Sequence, residues 1–217
     1  MMTTHENDIQ LILFHAAAEP ELVALYQDGL LASYGRHGAA AAAERTRDFD
    51  PEGVHMVAAV GPGLELLAGM RIHLRRPGQP LPVELALGDR CPVSAAIDAR
   101  KPSPVVEMSG LWVAEAHRQG PLAAAVTRTA LAACRRLGAR SVVGCVHQHV
   151  LPFYQRYGAV VDASLGVHPY PSPRYATQVV FSDLVTMDGL VSAEQAPFER
   201  ATRRLEHAQE LPLPLAG

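Results

Sequence analysis

A glutamate set in an apolar run, V-V-E-M-S-G-L-W-V at 105–113, is the first place where this chain could do chemistry. Val106 and Met108 flank Glu107, and a carboxylate is costly to bury among such neighbours without a partner. Burial lifts a carboxyl from a pKa of about 4.3 toward the range useful to a general base. An amine of pKa about 8 must lose a proton before it attacks an acyl group, so base and reaction suit each other. A structural ion pair with Arg71 is the competing reading. In a regular strand, residues 107, 109, 111 and 113 share one face, which sets Ser109 beside Glu107. Gly110 interrupts the run, and a strand glycine marks either a bulge or close packing.

Downstream, a strand ending at Val113 feeds the loop A-E-A-H-R-Q-G and a helix opening at Pro121. The free N–H groups and dipole of a helix start favour phosphate. Arg118 adds positive charge, Gly120 permits close backbone approach, and Gln119 and Ala123 complete the candidate cradle. Pro121 donates no N–H, so the grip on a pyrophosphate is weakened and a single phosphate is better suited. An ordinary strand–helix turn is the alternative. Later, L-P-F-Y-Q-R-Y-G carries Tyr154. A phenol of pKa about 10 can hydrogen-bond a departing thiol of pKa about 8.5, or can simply pack through its ring. His147 and His149 are too few for a metal site, and none is expected. His55 and His73 read as filling or edging the core. Asp48 and Asp50 read as solvated loop residues, with an acceptor contact as the alternative. No G-x-S-x-G, Walker A or G-x-G-x-x-G run occurs, which removes support for hydrolase, P-loop and dinucleotide readings.

The elements that must position these residues alternate along 217 residues, enough for one domain over 1–190 with a helix and tail at 191–217 packed on it or extending from it. Hydrophobic residues make up 48% and charged residues 19%, so a full core is available. Strands are expected at 9–14, 54–60, 64–74, 81–87, 104–113, 141–146, 159–162 and 175–184. Helices are expected from 20 to 31 and at 93–100, 121–137, 150–157 and 193–208, and 36–53 reads as a loop with one helical turn. The clearest helix is 121–137, where Leu122, Val126, Ala130, Ala133 and Leu137 form one apolar stripe between Pro121 and Gly138. The order implies an α/β (α+β) fold with a mixed sheet. A net charge of −3 argues against nucleic acid or an anionic membrane as partner. Three cysteines without C-x-x-C spacing, no apolar run of membrane length, and an acidic start imply a soluble cytoplasmic protein.

The strand L-W-V, the loop H-R-Q-G-P-L-A and the later F-Y-x-x-x-G resemble the GNAT acyltransferase superfamily in order and spacing. Together with F-D-P-E-G-V-H-M-V-A-A-V and L-A-G-M-R-I-H-L, they look like the branch holding acyl-homoserine lactone synthases and N-acyl amino acid synthases. The resemblance implies a mostly antiparallel central sheet flanked by helices, and an N-acyltransferase that uses acyl-CoA or acyl-carrier protein as donor substrate. It implies no permanently bound cofactor, a small amino-acid-like amine as acceptor, and direct attack without a covalent enzyme step. Glu107 matches the branch's proposed base and Tyr154 the tyrosine near the thioester sulfur. The backbone at Leu111, Trp112 and Val113 matches the stretch that binds the thioester carbonyl. Arg71 matches a branch arginine, and with Ser109 and Phe153 it is a candidate substrate contact. The chain has Gly110 where lactone synthases carry arginine, which argues against homoserine lactone synthesis. Acetyl-CoA-dependent N-acetylation and non-catalytic thioester binding are the alternatives, and a homodimer and a carrier-protein partner are left open.

Overall fold

The computed structural model describes residues 9–207. Eight strands form one sheet: β1 (Gln10–His15), β2 (Val54–Val60), β3 (Leu66–Leu74), β4 (Val105–Val113), β5 (Ser141–His147), β6 (Val160–Val161), β7 (Val167–His168) and β8 (Thr177–Asp183). Their order is β1-β2-β3-β4-β5-β8-β6, with β7 also on β8. Every pairing is antiparallel except β4 with β5. Helices α1 (Pro20–Arg36) and α2 (Ala40–Arg45) cover one face near β2–β4. On the same side stand α3 (Pro82–Leu87) and α4 (Val93–Asp98). Helix α5 (Leu122–Arg136) covers the other face, followed by α6 (Leu151–Gln155) and α7 (Ser192–His207).

The stripe expected on α5 is buried as a unit, and it packs on Val57, Met70, Ile72 and Val106 of the sheet. α7 closes over α5 through Phe198, on which the Arg135 guanidinium stacks. The buried carboxylate of Glu194 accepts from Arg128 and Arg156, each at 2.8 Å, and so ties α7 to α5 and to the end of α6. Among the described residues, no helix is long and apolar enough to cross a membrane.

One expected element is overturned. Residues 81–87 form a helix, not a strand. Alternation of Leu81, Val83, Leu85 and Leu87 reads as period two, yet Leu85 is 70% exposed while Val83 and Leu87, four apart, are buried. Pro82 fits the first helical turn, and the Glu84 carboxylate accepts the Leu81 N–H at 2.8 Å. Arg75 pairs with that same carboxylate.

Three glycines, Gly29, Gly69 and Gly110, fix how α1 meets the sheet. A Cβ at Gly69 would lie 2.6 Å from the Tyr26 ring, and one at Gly29 2.3 Å from the Trp112 ring. Two large rings are thus packed against bare backbone. Gly69→Ala is expected to destabilise the fold by about 1–3 kcal/mol, the usual cost of overpacking, read as a lower urea midpoint.

Candidate active site

The site is made by strands that part. β4 and β5 pair only through Val105, Val106 and Glu107, opposite Ser141, Val142 and Val143. Beyond Glu107 the edge of β4 facing β5 has no strand partner. On its other edge, Gly110 and Leu111 together stand opposite Met70, a β-bulge flanked by the pairs Arg71–Ser109 and Gly69–Trp112. Gly110 has φ +66°, and its carbonyl accepts the Tyr26 hydroxyl at 2.5 Å. Regular alternation along the strand therefore stops at Gly110.

On the face toward α1 and α3, two adjacent cross-strand pairs line up four polar residues: Arg71 opposite Ser109, and His73 opposite Glu107. Arg71, His73 and Glu107 are buried. Glu107 is 2% exposed and accepts one hydrogen bond, from the Val83 N–H at 2.7 Å. That donor is in the first turn of α3, which the strand reading of 81–87 had hidden. Burial pushes the Glu107 carboxyl up to about 8, against smaller opposing effects of the Val83 N–H and Arg71.

The expected alternative, an ion pair between Glu107 and Arg71, does not form. The Arg71 guanidinium donates to the Thr46 carbonyl and, at 2.8 Å, to the Thr46 hydroxyl. It also stands 5.4 Å from the Phe49 ring centroid and 5.7 Å from that of Tyr26. Among the described residues no carboxylate lies within ion-pairing distance of it. Arg71 Nε, Ser109 Oγ and His73 Nε2 are all buried without a partner. Buried polar groups are nearly always hydrogen-bonded, and here three without a partner fall in one row.

A central cavity of about 140 Å³ reaches Arg71, Glu107 and Ser109 and runs through the split to Thr127 and Leu131 of α5. A larger cavity of about 750 Å³ lies between α1, the loop after β4 and the segment around Tyr175. Leu111, Cys145, Tyr154 and Tyr170 line both. Tyr154 stands where the two meet, in edge contact with Phe153 of the larger cavity's wall, and burial pushes the Tyr154 phenol up. Trp112, Val113, Arg118 and Ala123 line the larger cavity; Gln119 and Gly120 do not. The Gly120 N–H is bonded to the His117 carbonyl at 3.0 Å, and Arg118 Nη2 stands 3.1 Å from His37 Nε2. His147 and His149 sit in the same wall, and no group of three possible metal ligands occurs among the described residues. Asp50 is engaged outside the central cavity by Gln79 and the Glu52 N–H.

Tyr26, Tyr34, Thr46, Val83 and Tyr170 were not singled out from the sequence. Tyr26 stood in the apolar pattern of its helix, and Tyr170 lies between prolines in a stretch with no periodicity.

Comparison with solved structures decides the fold. FeeM, an N-acyl amino acid synthase from uncultured soil microbes, superposes with a TM-score of 0.68 at 11% identity, over 89% of this chain and 100% of its own. BjaI, a CoA-dependent acyl-homoserine lactone synthase, gives 0.61 at 19% identity, over 94% and 95%. A protein of the GNAT family from Desulfovibrio desulfuricans gives 0.52 at 13%, over 82% and 99%.

The chain has the GNAT fold. Its mixed, mostly antiparallel sheet flanked by helices is arranged as the resemblance implied. No family model matches the chain. The uncharacterized protein Rv1356c of Mycobacterium tuberculosis is 27% identical over 208 residues, covering 93% of this chain and 77% of its own, and a protein of Mycobacterium bovis matches to the same extent.

The raised Glu107 carboxyl sets a pH dependence of stability. The folded protein keeps this proton up to about pH 8, whereas the unfolded chain releases it near 4.5. Within that window the folded state binds more protons, so the contribution of the neutral carboxyl is complete below about pH 4.5 and is lost as the pH rises toward 8. Wild-type protein is expected to lose stability across this interval relative to Glu107→Gln, measured as urea midpoints. Equal slopes would refute the assignment.

Proposed function

We propose that this protein is an N-acyltransferase. It moves an acyl group from a pantetheine thioester to the amine of a small amino-acid-like acceptor that also carries a carboxylate. The observation that carries this is the buried polar row, a carboxyl poised near pH 8 next to a guanidinium with no counter-ion. Glu107 takes the proton of the acceptor ammonium. Its carboxyl, near 8, and an α-amine, near 8, are matched, and matching favours proton transfer. Arg71 receives the acceptor carboxylate, for which a planar guanidinium offers paired donors. The FeeM and BjaI names, an N-acyl amino acid synthase and an acyl-homoserine lactone synthase, point to the same kind of acceptor.

The donor occupies the larger cavity, with its thioester in the split between β4 and β5. The backbone at Leu111, Trp112 and Val113 polarises the carbonyl, and the freed edge of β4 is what permits it. The amine attacks, a tetrahedral intermediate forms, and the C–S bond breaks as the thiol leaves with a proton from the Tyr154 phenol, whose phenolate takes up the second proton that the nitrogen sheds. Arg118 and the first N–H groups of α5 receive phosphate, and Gln119, Gly120 and Ala123 shape that turn. With the Gly120 N–H already bonded and none at Pro121, the turn fits one phosphate better than two. That favours an acyl-carrier protein over acyl-CoA, while BjaI and MesI are named CoA-dependent. The cavity behind Glu107 extends to α5 and suits an acyl chain longer than acetyl.

Release of free thiol from acyl-CoA and acyl-carrier protein, with a panel of amino acids as acceptors, tests the reading. Glu107→Gln is expected to lower kcat by about 10²–10⁴, and near-normal turnover would remove the base. Arg71→Lys is expected to raise the acceptor KM about 10- to 100-fold with the donor KM unchanged, since a charge-assisted bidentate contact is lost. An unchanged acceptor KM would place the carboxylate elsewhere.

A further inference from the structure

A second cavity, of about 460 Å³, reaches His73 of the polar row, shares Tyr170 with the donor cavity and has no part in the chemistry above. Thr46, Pro82, Ala86 and Tyr170 line both it and the central cavity, so the two adjoin. Thr46 is the residue that holds the Arg71 guanidinium. His73, which lines this cavity, stands directly opposite Glu107 in the sheet. Phe49, Val54, Leu74 and Leu81 supply apolar wall, and His73 Nε2 is a buried polar atom without a partner. Burial keeps the His73 imidazole neutral. The charged lining residues Arg45, Asp48 and Asp50 are exposed at the mouth.

An acceptor with its carboxylate at Arg71 and its amine at Glu107 has its α-carbon at the junction of these cavities. We infer that the second cavity receives the acceptor's side chain, and that this side chain is bulky and uncharged. The inference rests on the transferase reading above. A small side chain leaves the apolar walls in contact with water, whereas a large one displaces that water. A charged one gives up its hydration for walls without a buried counter-ion. Of the two acids at the mouth, Asp50 is already held by Gln79 at 2.7 Å and by Arg76 at 3.5 Å, and Asp48 is exposed to solvent. The unpartnered His73 nitrogen accommodates one neutral polar atom at the inner end.

The test is a series of kcat/KM values with one acyl donor and glycine, alanine, leucine, methionine, phenylalanine, aspartate and lysine as acceptors. The best of leucine, methionine and phenylalanine is expected to exceed alanine at least about 10-fold, the discrimination a few methylenes provide in an apolar pocket. Aspartate and lysine should fall below alanine. Leu85 lines the second cavity only and is 70% exposed, so Leu85→Trp leaves the fold intact and narrows the space. It should lower the leucine-to-glycine ratio with the donor KM unchanged. Glycine, aspartate or lysine equalling leucine, or a ratio untouched by Leu85→Trp, overturns the inference and leaves the transferase reading standing. Acylation of no amine at all overturns the transferase reading, and this inference with it.

Discussion

The parting of β4 from β5 after Glu107 is the constraint on which the rest depends. Two parallel strands that stayed paired to their ends would satisfy their backbone groups and leave no opening. Here pairing stops after three residues, and the bulge at Gly110 turns the chain away from regular register. A left-handed backbone there excludes an unstrained side chain, and Tyr26 takes the one carbonyl the turn exposes toward α1. The ring of Tyr26 reaches that carbonyl because Gly69 has no Cβ, and α1 approaches closely because Gly29 has none. Bare backbone at three places therefore maintains the split.

The electrostatics of the polar row follow from a difference between two side chains. A buried carboxyl can keep its proton and so avoid the cost of a buried charge, and Glu107 does so over most of the physiological range. A guanidinium has no such escape, because it stays charged at any accessible pH. Arg71 is partly compensated by the Thr46 carbonyl and by two aromatic faces, none of which carries a full negative charge. The site thus carries net positive charge whenever Glu107 is protonated. Arg71 places this charge beside Glu107 and Ser109, while Arg118 and Arg174 place positive charge by the larger cavity at His37.

Much of this frame was legible in the sequence because it depends on local periodicity. The stripe of α5, the β-branched strands and the Pro121 and Gly138 boundaries are properties of neighbours in the chain, and they were read within a residue or two. Glu107, Arg71 and Tyr154 stood out by residue type in apolar surroundings and by resemblance. The mistaken strand at 81–87 arose because seven residues with alternating aliphatics satisfy both periods, and only the exposure of Leu85 separates them. Tyr26, Thr46 and Val83 could not be read at all. Each acts at long range, Tyr26 on a carbonyl 84 positions away and Val83 on a carboxylate 24 positions away. Such contacts are consequences of sheet order and helix placement, which no local pattern encodes.

These observations combine into a charge argument for the order of events. The free protein holds a neutral Glu107 and an unpaired Arg71. On the proposed reading an amino acid would enter as a zwitterion, its carboxylate offsetting Arg71 while its ammonium arrives beside Glu107. A cation within a few ångströms favours the ionised carboxyl, and with the pKa of about 8 lowered by that contact the proton balance tilts toward the carboxylate that a base requires. An amine without a carboxylate would bring a second cation beside Arg71 with nothing to neutralise it. On that reading the same pair of residues would both select the acceptor and switch on the base. That coupling gives a physical reason for a guanidinium buried without a counter-ion.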